Sequence, residues 1–381
     1  MQYRPFGKVD FRVSALGFGC MRLPILNGDY AQIDEPEALR MLRHAIDSGV
    51  NYVDTAYGYH RGNSERYVGR ALQDGYRQKV ALATKLPQWL VKEQADFERL
   101  FTEQLERLQT DHIDFYLMHA LGAESWHKLY DLGILDWIEK TRASGRFQHV
   151  GFSFHDTFDA FKEIVDAYPG RDGWDFAQIQ YNYMDTNEQA GTAGLKYAAE
   201  RGMAMVIMEG LLGGRLVRPP VEVQALWDSA AVRRSPADWA LQWLWNQPEV
   251  SVVLSGMTTF QQVEQNLVSA SVAATSQFTP AELALVEQVR AKTQELCAIP
   301  CTHCDYCQPC PNKVNIPRLF ELYNNASMYN VLEDSRRDYA HMAMEERADM
   351  CLDCDECEAK CPQHIPISAW MPKVHEALQA R

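Results

Sequence analysis

The sequence predicts an α/β fold in which a (β/α)8 TIM barrel is followed by a small all-α domain. Over the first 275 residues, apolar runs rich in β-branched residues alternate eight times with amphipathic stretches whose apolar positions recur every three or four residues. Evenly spaced strand–helix units favour a barrel. A doubly wound sheet is the alternative, but no G-x-G-x-x-G segment follows the first run. The runs lie at 15–20, 52–56, 80–85, 114–119, 149–153, 177–180, 204–209 and 251–256.

We place the domain boundaries where the pattern changes. Residues 1–275 form the predicted barrel, with the opening residues as a hairpin across its floor. Residues 276–296 are predicted to form a linking helix that begins at Thr279 and Pro280. Residues 297–381 form the predicted helical domain, in which two cysteine runs flank a stretch of helical patterning.

Charge and hydropathy exclude several classes of protein. The 381 residues include 51 acidic and 37 basic side chains, and the net charge of -14 would repel the phosphates of a nucleic acid. The apolar runs are too short to span a membrane, although 46% hydrophobic residues support a large core. The polar start MQYRPFGKVDF lacks the apolar segment of a secretory signal. We therefore expect a cytoplasmic protein with neither a nucleic-acid partner nor a membrane span.

Eight of the ten cysteines fall in two runs that each end in Cys-Pro. The second, CLDCDECEAKCP, has the C-x2-C-x2-C-x3-C-P spacing in which three thiolates hold one 4Fe-4S cubane and the fourth reaches the other. The first, CTHCDYCQPCP, has two residues before its last cysteine. We predict two 4Fe-4S clusters with crossed ligands. One ligand set is Cys301, Cys304, Cys307 and Cys361, and the other is Cys351, Cys354, Cys357 and Cys310.

Two other uses of these cysteines compete with iron–sulfur ligation. A disulfide framework needs an oxidising compartment, which the missing signal argues against. Zinc takes tetrahedral sets of four without the trailing Cys-Pro. Cys20 and Cys297 stay unassigned, and Cys20 fits a buried strand position. Iron–sulfur ligation is the favoured prediction.

A polar residue ends almost every predicted strand. The carboxyl ends of barrel strands meet at one mouth, where TIM barrels keep their active sites. Taken singly, these residues have structural explanations, since Asp54 could cap a helix and His119 could be a hydrogen-bonded structural histidine. Their convergence, which includes a lysine on an apolar strand, indicates an active site. The set is Asp54, Lys85, His119, Ser153, Gln180, Glu209 and Ser255.

Three of these residues and a nearby tyrosine suit proton transfer. Asp54 would hold Lys85 charged, and the ammonium would lower the pKa of Tyr59, five residues after Asp54. Tyr59 would then be an acid usable near neutral pH. His119 would hydrogen-bond a substrate oxygen and fix its direction. No side chain can supply a hydride, so a redox cofactor must.

Residues 1–275 resemble the aldo-keto reductases. The segment NYVDTAYGYHRGNSERYVGRAL is similar to the family's Asp-Thr-Ala box, ALATK to its lysine strand and DHIDFYLMH to its histidine strand. The catalytic tetrad that the resemblance implies is Asp54, Tyr59, Lys85 and His119. Tyr57 is a rival for the acid, but the box is gapless from Asp54 to Ser64 only if Tyr59 is the catalytic tyrosine.

The same resemblance implies a nicotinamide cofactor. GFSF, QIQYN and MEGLLGG are similar to the family's nicotinamide site, and SGMTTFQQVEQN follows the last strand. This last segment has no lysine or arginine to clamp a 2'-phosphate, so NADH is favoured over NADPH, while Arg215 could reach the pyrophosphate. The implied cofactor contacts are Ser153, Gln180, Leu211, Gly213, Arg215, Gly256, Gln262, Glu264 and Asn266.

The carboxyl-terminal region resembles an alpha-helical ferredoxin domain, and the whole chain resembles iron–sulfur aldo-keto reductases. The predicted function is interconversion of a small carbonyl compound and an alcohol, with sugars among the candidates, and with electron transfer through the two clusters and a redox partner protein as further possibilities. One alternative is a flavin-assisted or cluster-fed reductase of an activated C=C or C–O bond, because a barrel mouth can hold a flavin phosphate. Another is a non-catalytic redox sensor or electron-transfer subunit.

Overall fold

The computed structural model describes residues 1–169 and 173–379. Its strands are β1 (Tyr3–Phe6), β2 (Val9–Ser14), β3 (Leu16–Gly19), β4 (Tyr52–Asp54), β5 (Ala81–Leu86), β6 (Ile113–Leu121), β7 (Phe147–Phe154), β8 (Phe176–Gln180), β9 (Ala204–Met208) and β10 (Val250–Gly256).

The α-helices of the described ranges follow the strands in alternation and then fill the carboxyl-terminal part. Those before residue 272 are α1 (Glu35–Asp47), α2 (Asn63–Ala71), α3 (Ala95–Leu108), α4 (Ala123–Asp131), α5 (Ile134–Ala143), α6 (Phe158–Ala167), α7 (Gly191–Ala199), α8 (Val221–Asp228), α9 (Pro236–Asn246) and α10 (Phe260–Ser271). The later ones are α11 (Pro280–Glu295), α12 (Ile316–Met328), α13 (Leu332–His341) and α14 (Ile367–Leu378). Within the described ranges, none of the helices combines the length and apolarity needed to cross a membrane.

Strands β3 to β10 close into a parallel barrel in the order β10-β3-β4-β5-β6-β7-β8-β9, which confirms the predicted TIM barrel. Each predicted apolar run overlaps one of these strands. The register pairs Gly19 with Asp54 and Asp54 with Ala83, and it pairs Lys85 with Leu117. The carboxyl ends of neighbouring strands therefore lie side by side at one mouth.

The opening residues form the expected hairpin, since β1 pairs antiparallel with β2. Phe6 is fully buried, with its ring centroid 4.6 Å from that of Phe115 and 5.5 Å from that of Phe176. It belongs to a core cluster with Tyr52 and Val206 of the barrel strands. The hairpin thus contributes an aromatic plug to the barrel interior.

Arg4 links this hairpin to the end of α9 and the start of β10. Its buried guanidinium donates to the carbonyl oxygens of Val250 at 2.8 Å and Gln247 at 3.3 Å, and also to that of Trp245. Burial lowers the pKa of Arg4 to about 10, so the side chain stays charged at neutral pH.

The chain divides into two compact units. The first contains Met1–Gly210 and Asp238–Gln277, and the second contains Leu211–Ala237 together with the residues from Phe278 onward. In the second unit α8 packs on α11, and Arg234 pairs with Glu282 at 2.6 Å. The sequence pattern assigns 211–237 to the barrel, because a contact between segments so far apart in the chain leaves no local signal. The boundaries 1–275, 276–296 and 297–381 stay predictions, and residues 380 and 381 lie outside the described residues.

The helical part of the second unit has its own apolar core. Ile299, Leu319, Phe320 and Val374 are among its fully or almost fully buried members. Partly buried side chains of six cysteines pack against this core: Cys301, Cys307, Cys310, Cys351, Cys357 and Cys361. These six cysteine side chains therefore anchor two otherwise largely exposed runs to the core.

The Arg4 contacts predict a specific loss of stability. Arg4→Met leaves buried carbonyl oxygens without their donor and should lower the free energy of unfolding by about 1–3 kcal/mol. Arg12→Met is the matched control, because Arg12 is an exposed arginine of the same hairpin, and its effect should stay within about 0.5 kcal/mol. Urea denaturation of both variants measures the difference, and equal losses would contradict the role given to Arg4.

Candidate active site and cluster sites

Four side chains of the predicted tetrad come together at the barrel mouth. Lys85 of β5 donates from Nζ to Asp54 Oδ1 at the end of β4 over 2.7 Å and to the carbonyl oxygen of Thr55 over 2.8 Å. Its third contact is the Tyr59 hydroxyl at 3.4 Å. The His119 ring, on β6, stands edge-on to the Tyr59 ring with centroids 6.0 Å apart.

Lys85 and Asp54 form a buried ion pair. Burial by itself lowers the pKa of Lys85, but Asp54 and Tyr59 favour the ammonium and the net direction is upward. Burial raises the pKa of Asp54, and Lys85 opposes that rise. With three acceptors around its three N–H groups, Lys85 stays protonated and fixed in direction. The second carboxylate oxygen, Asp54 Oδ2, is buried without a hydrogen-bond partner among the described residues.

Tyr59 departs from one sequence-based expectation. Lys85 was expected to lower its pKa, whereas the net direction in the structure is upward. Burial of the phenol outweighs the attraction between a phenolate and the neighbouring ammonium. Tyr59 is therefore protonated at neutral pH, which is the state that a proton donor needs.

The rival tyrosine faces another way. The Tyr57 hydroxyl donates to Glu103 at 3.1 Å, and the Arg107 guanidinium lies over its ring at 3.8 Å. These contacts turn Tyr57 toward α3 instead of Lys85. Tyr59 is thus the better placed of the two phenols for proton transfer.

His119 presents a neutral imidazole at the mouth. Burial, with the nearby charges of Lys85 and His155 adding to it, holds the pKa of His119 well below its usual range. Its Nδ1 is buried and has no hydrogen-bond partner in the described part of the chain. The ring of the half-exposed Trp89 lies 5.1 Å from the His119 ring, centroid to centroid.

A buried polar network that sequence reasoning missed lies behind the tetrad. Glu65 of α2 is fully buried and accepts from the Thr84 hydroxyl at 2.6 Å and from the Gln104 amide at 2.6 Å. Arg107 donates to its other oxygen at 3.3 Å. Burial raises the pKa of Glu65, while these three donors favour the carboxylate.

The network holds both parts of the proton-transfer pair. Gln104 also donates to the carbonyl oxygen of Lys85 at 3.0 Å, and Arg107 donates to that of Tyr57 at 3.4 Å. The first contact fixes the strand that carries Lys85, and the second fixes the loop that carries Tyr59. The Ser-Glu pair of the NSERYV segment was included in the sequence-based prediction as part of a family motif. The motif gave no indication of the contacts that its glutamate makes.

The predicted cofactor contacts of the barrel strands lie at the same mouth. Ser153 lies near the end of β7, and its Oγ accepts a hydrogen bond from the Ala120 N–H at 2.7 Å. Gln180 ends β8 and donates to Asp185 Oδ2 at 3.1 Å. Gln178, two residues earlier, has a buried Oε1 without a partner among the described residues.

Gly256 is the last residue of β10 and Gln262 lies in the first turn of α10, where its side chain already has a structural role. Its Oε1 accepts from the N–H groups of Thr258 at 2.7 Å and Thr259 at 3.2 Å, which completes a capping box at the start of α10. A cofactor contact through this oxygen would compete with the cap.

The other two residues predicted near the adenine also have protein partners. Glu264 is exposed and pairs with His44 at 2.7 Å. Asn266 is buried and donates to Ser255 Oγ at 3.0 Å. Their contacts with a cofactor stay predictions.

Three predicted contacts belong to the second unit. Leu211 precedes a 3-10 helix, Leu212–Val217, that contains Gly213 and Arg215. Gly213 has a φ of 64° and Gly214 a φ of 94°, left-handed values that favour glycine. The contacts of Leu211, Gly213 and Arg215 with a nicotinamide cofactor stay predictions.

Sequence reasoning also missed a cation near the end of β10. A side chain built on Gly256 would come within 3.1 Å of Cβ and Cγ of Arg22, and Thr258 Oγ1 donates to the Arg22 carbonyl oxygen at 3.1 Å. The Arg22 side chain is exposed. Because it comes from the other end of the chain, a search for basic residues near 256–262 could not find it.

The cysteines surround two cavities in the crossed combination. One cavity is lined by the set Cys301, Cys304, Cys307 and Cys361. The other is lined by Cys310, Cys351, Cys354 and Cys357. Burial raises the pKa of Cys301, and the proximity of Cys304 and Cys361 adds to the rise. Burial likewise raises the pKa of Cys351, with Cys310 and Cys354 adding to it. Each cavity thus collects three thiols of one run and the last thiol of the other.

This arrangement suits cubanes better than single ions. All ten cysteines are free thiols, and no three His, Cys, Asp or Glu side chains in the described ranges converge closely enough to share one metal ion. A cubane offers a separate iron to each thiolate, so its ligands surround a cluster instead of meeting at a point. The apolar side chains of Ile316 and Ile367 line both cavities and would limit solvent access to a cluster.

Comparison with known proteins matches both parts of the chain. Residues 15–290 match the profile of the Aldo/keto reductase family, and residues 300–365 match that of the 4Fe-4S dicluster domain. Both predicted resemblances are thereby confirmed.

Relatives and solved structures agree with these matches. The "Uncharacterized oxidoreductase YqkF" of Bacillus subtilis (strain 168) is 24% identical over 301 residues, which are 71% of this chain and 92% of that protein. The L-galactose dehydrogenase of Arabidopsis thaliana is 27% identical over 289 residues, covering 71% and 88% respectively. The solved holo form of aldo-keto reductase AKR11C1 from Bacillus halodurans superposes with a TM-score of 0.62 at 26% identity, over 76% of this chain and 96% of that one.

The buried network predicts that Glu65 matters more for stability than an exposed glutamate nearby. Glu65→Ala leaves the Arg107 charge without one of its buried partners and should lower the free energy of unfolding by about 3–5 kcal/mol. Glu106→Ala on the exposed side of α3 is the control and should cost less than about 0.5 kcal/mol. Chemical denaturation compares them, and a small loss for Glu65→Ala would contradict the role of the network.

Proposed function

This chain belongs to the aldo/keto reductase family and carries a 4Fe-4S dicluster domain, and on that basis we propose that it interconverts a carbonyl and an alcohol with a nicotinamide cofactor. The observation that carries this proposal is the contact of one lysine with both partners of a proton-transfer site. Lys85 Nζ lies 2.7 Å from Asp54 Oδ1 and 3.4 Å from the Tyr59 hydroxyl. Enzymes of this family act on small carbonyl compounds.

We assign the proton to Tyr59. A nicotinamide, when bound, would supply the hydride that the side chains cannot. Tyr59 donates its phenolic proton to the carbonyl oxygen, where negative charge builds. The Lys85 ammonium touches the same hydroxyl and stabilises the phenolate that remains. In alcohol oxidation the phenolate takes the proton back.

His119 orients the substrate in this proposal. Its neutral ring can donate one hydrogen bond to the carbonyl oxygen without competing with Tyr59 for the proton, because its pKa lies well below the usual range. The two rings are neighbours, with centroids 6.0 Å apart, and on that ground we propose that their polar groups serve the same substrate oxygen. Trp89 beside His119 offers an apolar wall for the rest of the substrate.

The barrel mouth also fits a nicotinamide amide group. Ser153 and Gln180 lie at the ends of the neighbouring strands β7 and β8, and the buried Gln178 Oε1 lacks a partner among the described residues. We propose that Ser153 and Gln180 bind the carboxamide. Such contacts would orient the ring above the substrate carbon.

The cysteine cavities support two 4Fe-4S clusters. A nicotinamide moves two electrons together as a hydride, whereas a cubane accepts one at a time, so direct exchange between them is chemically awkward. We propose that the clusters exchange single electrons with a redox partner protein. The eight thiols, arranged as two sets of four, support the two cluster sites themselves.

The relatives suggest where to look for a substrate. One relative is named an L-galactose dehydrogenase, so sugars belong in a screen together with aldehydes and ketones. Turnover of such a panel by anaerobically purified protein with NADH tests the proposed reaction. Absence of turnover with every class, in protein that binds the nicotinamide, would contradict it.

The proton-donor role predicts a strong effect of one hydroxyl group. Tyr59→Phe should lower turnover by at least about 10²-fold and leave nicotinamide binding unchanged, because the phenyl ring keeps its shape but has no proton to give. Tyr57→Phe is the matched control and should keep most of the activity. Retained activity in Tyr59→Phe with loss in Tyr57→Phe would show that Tyr57 is the donor.

The segment after β10 predicts that NADH binds at least as tightly as NADPH. Tryptophan-fluorescence titrations measure both affinities. Gln262→Arg should shift the preference toward NADPH, by up to about 1.5–3 kcal/mol if the guanidinium reaches the phosphate. Gln262→Met loses the same helix cap without adding charge and is the control.

Arg22 provides the decisive variant for this cofactor preference. A wild type that strongly prefers NADPH would contradict the NADH proposal. If Arg22→Ala then abolished that preference, the missing charge would be assigned to Arg22.

The crossed ligand sets predict which cysteine variants behave alike. Cys310→Ser should perturb the same cluster signal as Cys351→Ser and spare the signal that Cys301→Ser perturbs, because its thiol lines the cavity of the second run. Cys297 lies outside both runs, so Cys297→Ser should leave both signals unchanged. EPR spectra with iron analysis distinguish the cases, and a Cys310→Ser spectrum like that of Cys301→Ser would contradict the crossed assignment.

A further inference from the structure

The two cysteine runs have the same backbone and the same exposure. His303 and Asp353 occupy equivalent positions, with left-handed φ values of 53° and 55°, and the next equivalent pair, Asp305 and Asp355, has values of 59° and 57°. From the first cysteine to the residue after the third, the pattern of buried and exposed residues is identical in the two runs. Over these eight residues the two runs therefore differ mainly in their side chains, whereas beyond them the first run has one residue fewer before its last cysteine.

The side chains differ in charge at three equivalent positions. Counted from the first cysteine of each run, His303 corresponds to Asp353 and Tyr306 to Glu356. Two positions further on, directly after the third cysteine, the first run has Gln308 where the second has Glu358. Only the pair Asp305 and Asp355 is acidic in both runs. The second run thus carries three more carboxylates on an equivalent framework.

Two carboxylates of the second run accept hydrogen bonds from a neutral side chain and its backbone. Asp355 accepts from the Ser368 hydroxyl at 2.6 Å and Glu358 from the Ser368 N–H at 2.8 Å. Within the described ranges, none of the four acidic residues of the second run forms an ion pair with a lysine or arginine. Asp349 adds a fifth carboxylate to the wall beside Cys351.

The basic residues do not restore the balance. Lys360 precedes Cys361, whose thiol lines the first cavity, and Lys313 follows Cys310, whose thiol lines the second. Lys360 also lies three positions after Cys357, so the second site has two lysines within three positions of its ligands and the first site has one, a difference smaller than that in carboxylates. His375 lies beside Asp349, with Nδ1 3.6 Å from its Oδ1, and is the one imidazole on the wall next to Cys351.

We propose that the cluster of Cys351, Cys354, Cys357 and Cys310 has the lower reduction potential of the two. Negative charge around a cluster disfavours the added electron, and net charge is among the factors that set these potentials. An electron on the second cluster then moves to the first, so that the second is oxidised by one electron as the first is reduced by one. The proposal rests on the proposed cluster sites and gives them a direction of electron flow.

An EPR-monitored potentiometric titration of the full chain, reconstituted under anaerobic conditions, tests this direction. The wild type should show two reduction waves. In Asp353→Asn/Glu356→Gln the lower wave should move upward, with the reduced fraction at a fixed potential rising about 3- to 30-fold. Because these side chains are exposed, the shift should shrink in high salt. Asp305→Asn is the matched control and should move the upper wave.

Two results would overturn the inference. One is a lower wave that responds to Asp305→Asn and ignores the second-run variant, and the other is a wild type whose two waves coincide. Iron analysis separates these from failure of the cluster sites themselves. Two cubanes require about eight irons per chain, and protein that binds none would refute the sites together with the inference.

Discussion

The buried ion pair between Lys85 and Asp54 is the constraint on which the barrel mouth depends. A lysine ammonium without a partner in such surroundings would be too costly, so the strand that carries Lys85 is acceptable only beside the strand that carries Asp54. The parallel register of β4 and β5 supplies that neighbour. Removal of either charge would leave the other buried and alone. The pair therefore joins the stability of the barrel to the geometry of its candidate active site.

Tyr59 sits where two effects of this pair oppose each other. The ammonium favours the phenolate, while the apolar surroundings that bury the pair favour the neutral phenol, and burial is the stronger of the two. The result is a hydroxyl that keeps its proton until charge develops on a substrate oxygen. Lys85 then acts on the phenolate formed in the reaction rather than on the resting residue. The network around Glu65 keeps the strand and the loop in place for this exchange.

Much of the fold could be predicted because its signals are local. Each apolar run overlaps one barrel strand, and the cysteine spacing anticipated which thiols line each cavity. The Glu65 network could not be predicted, because its contacts join residues 19 to 42 positions apart on separate elements. Arg22 beside Gly256 escaped for the same reason. The predicted direction of the Tyr59 pKa shift was wrong, because charged neighbours can be inferred from a sequence whereas the depth of burial cannot.

The central claim is that Tyr59 is a buried phenol held protonated beside a charged Lys85. Ultraviolet difference titration measures its ionisation directly, as the spectrum of the wild type minus that of Tyr59→Phe across the alkaline range. The midpoint of Tyr59 should lie above the ordinary tyrosine value of about 10. A midpoint below that value would contradict it, because the ammonium would then outweigh burial and the resting residue would already be losing its proton.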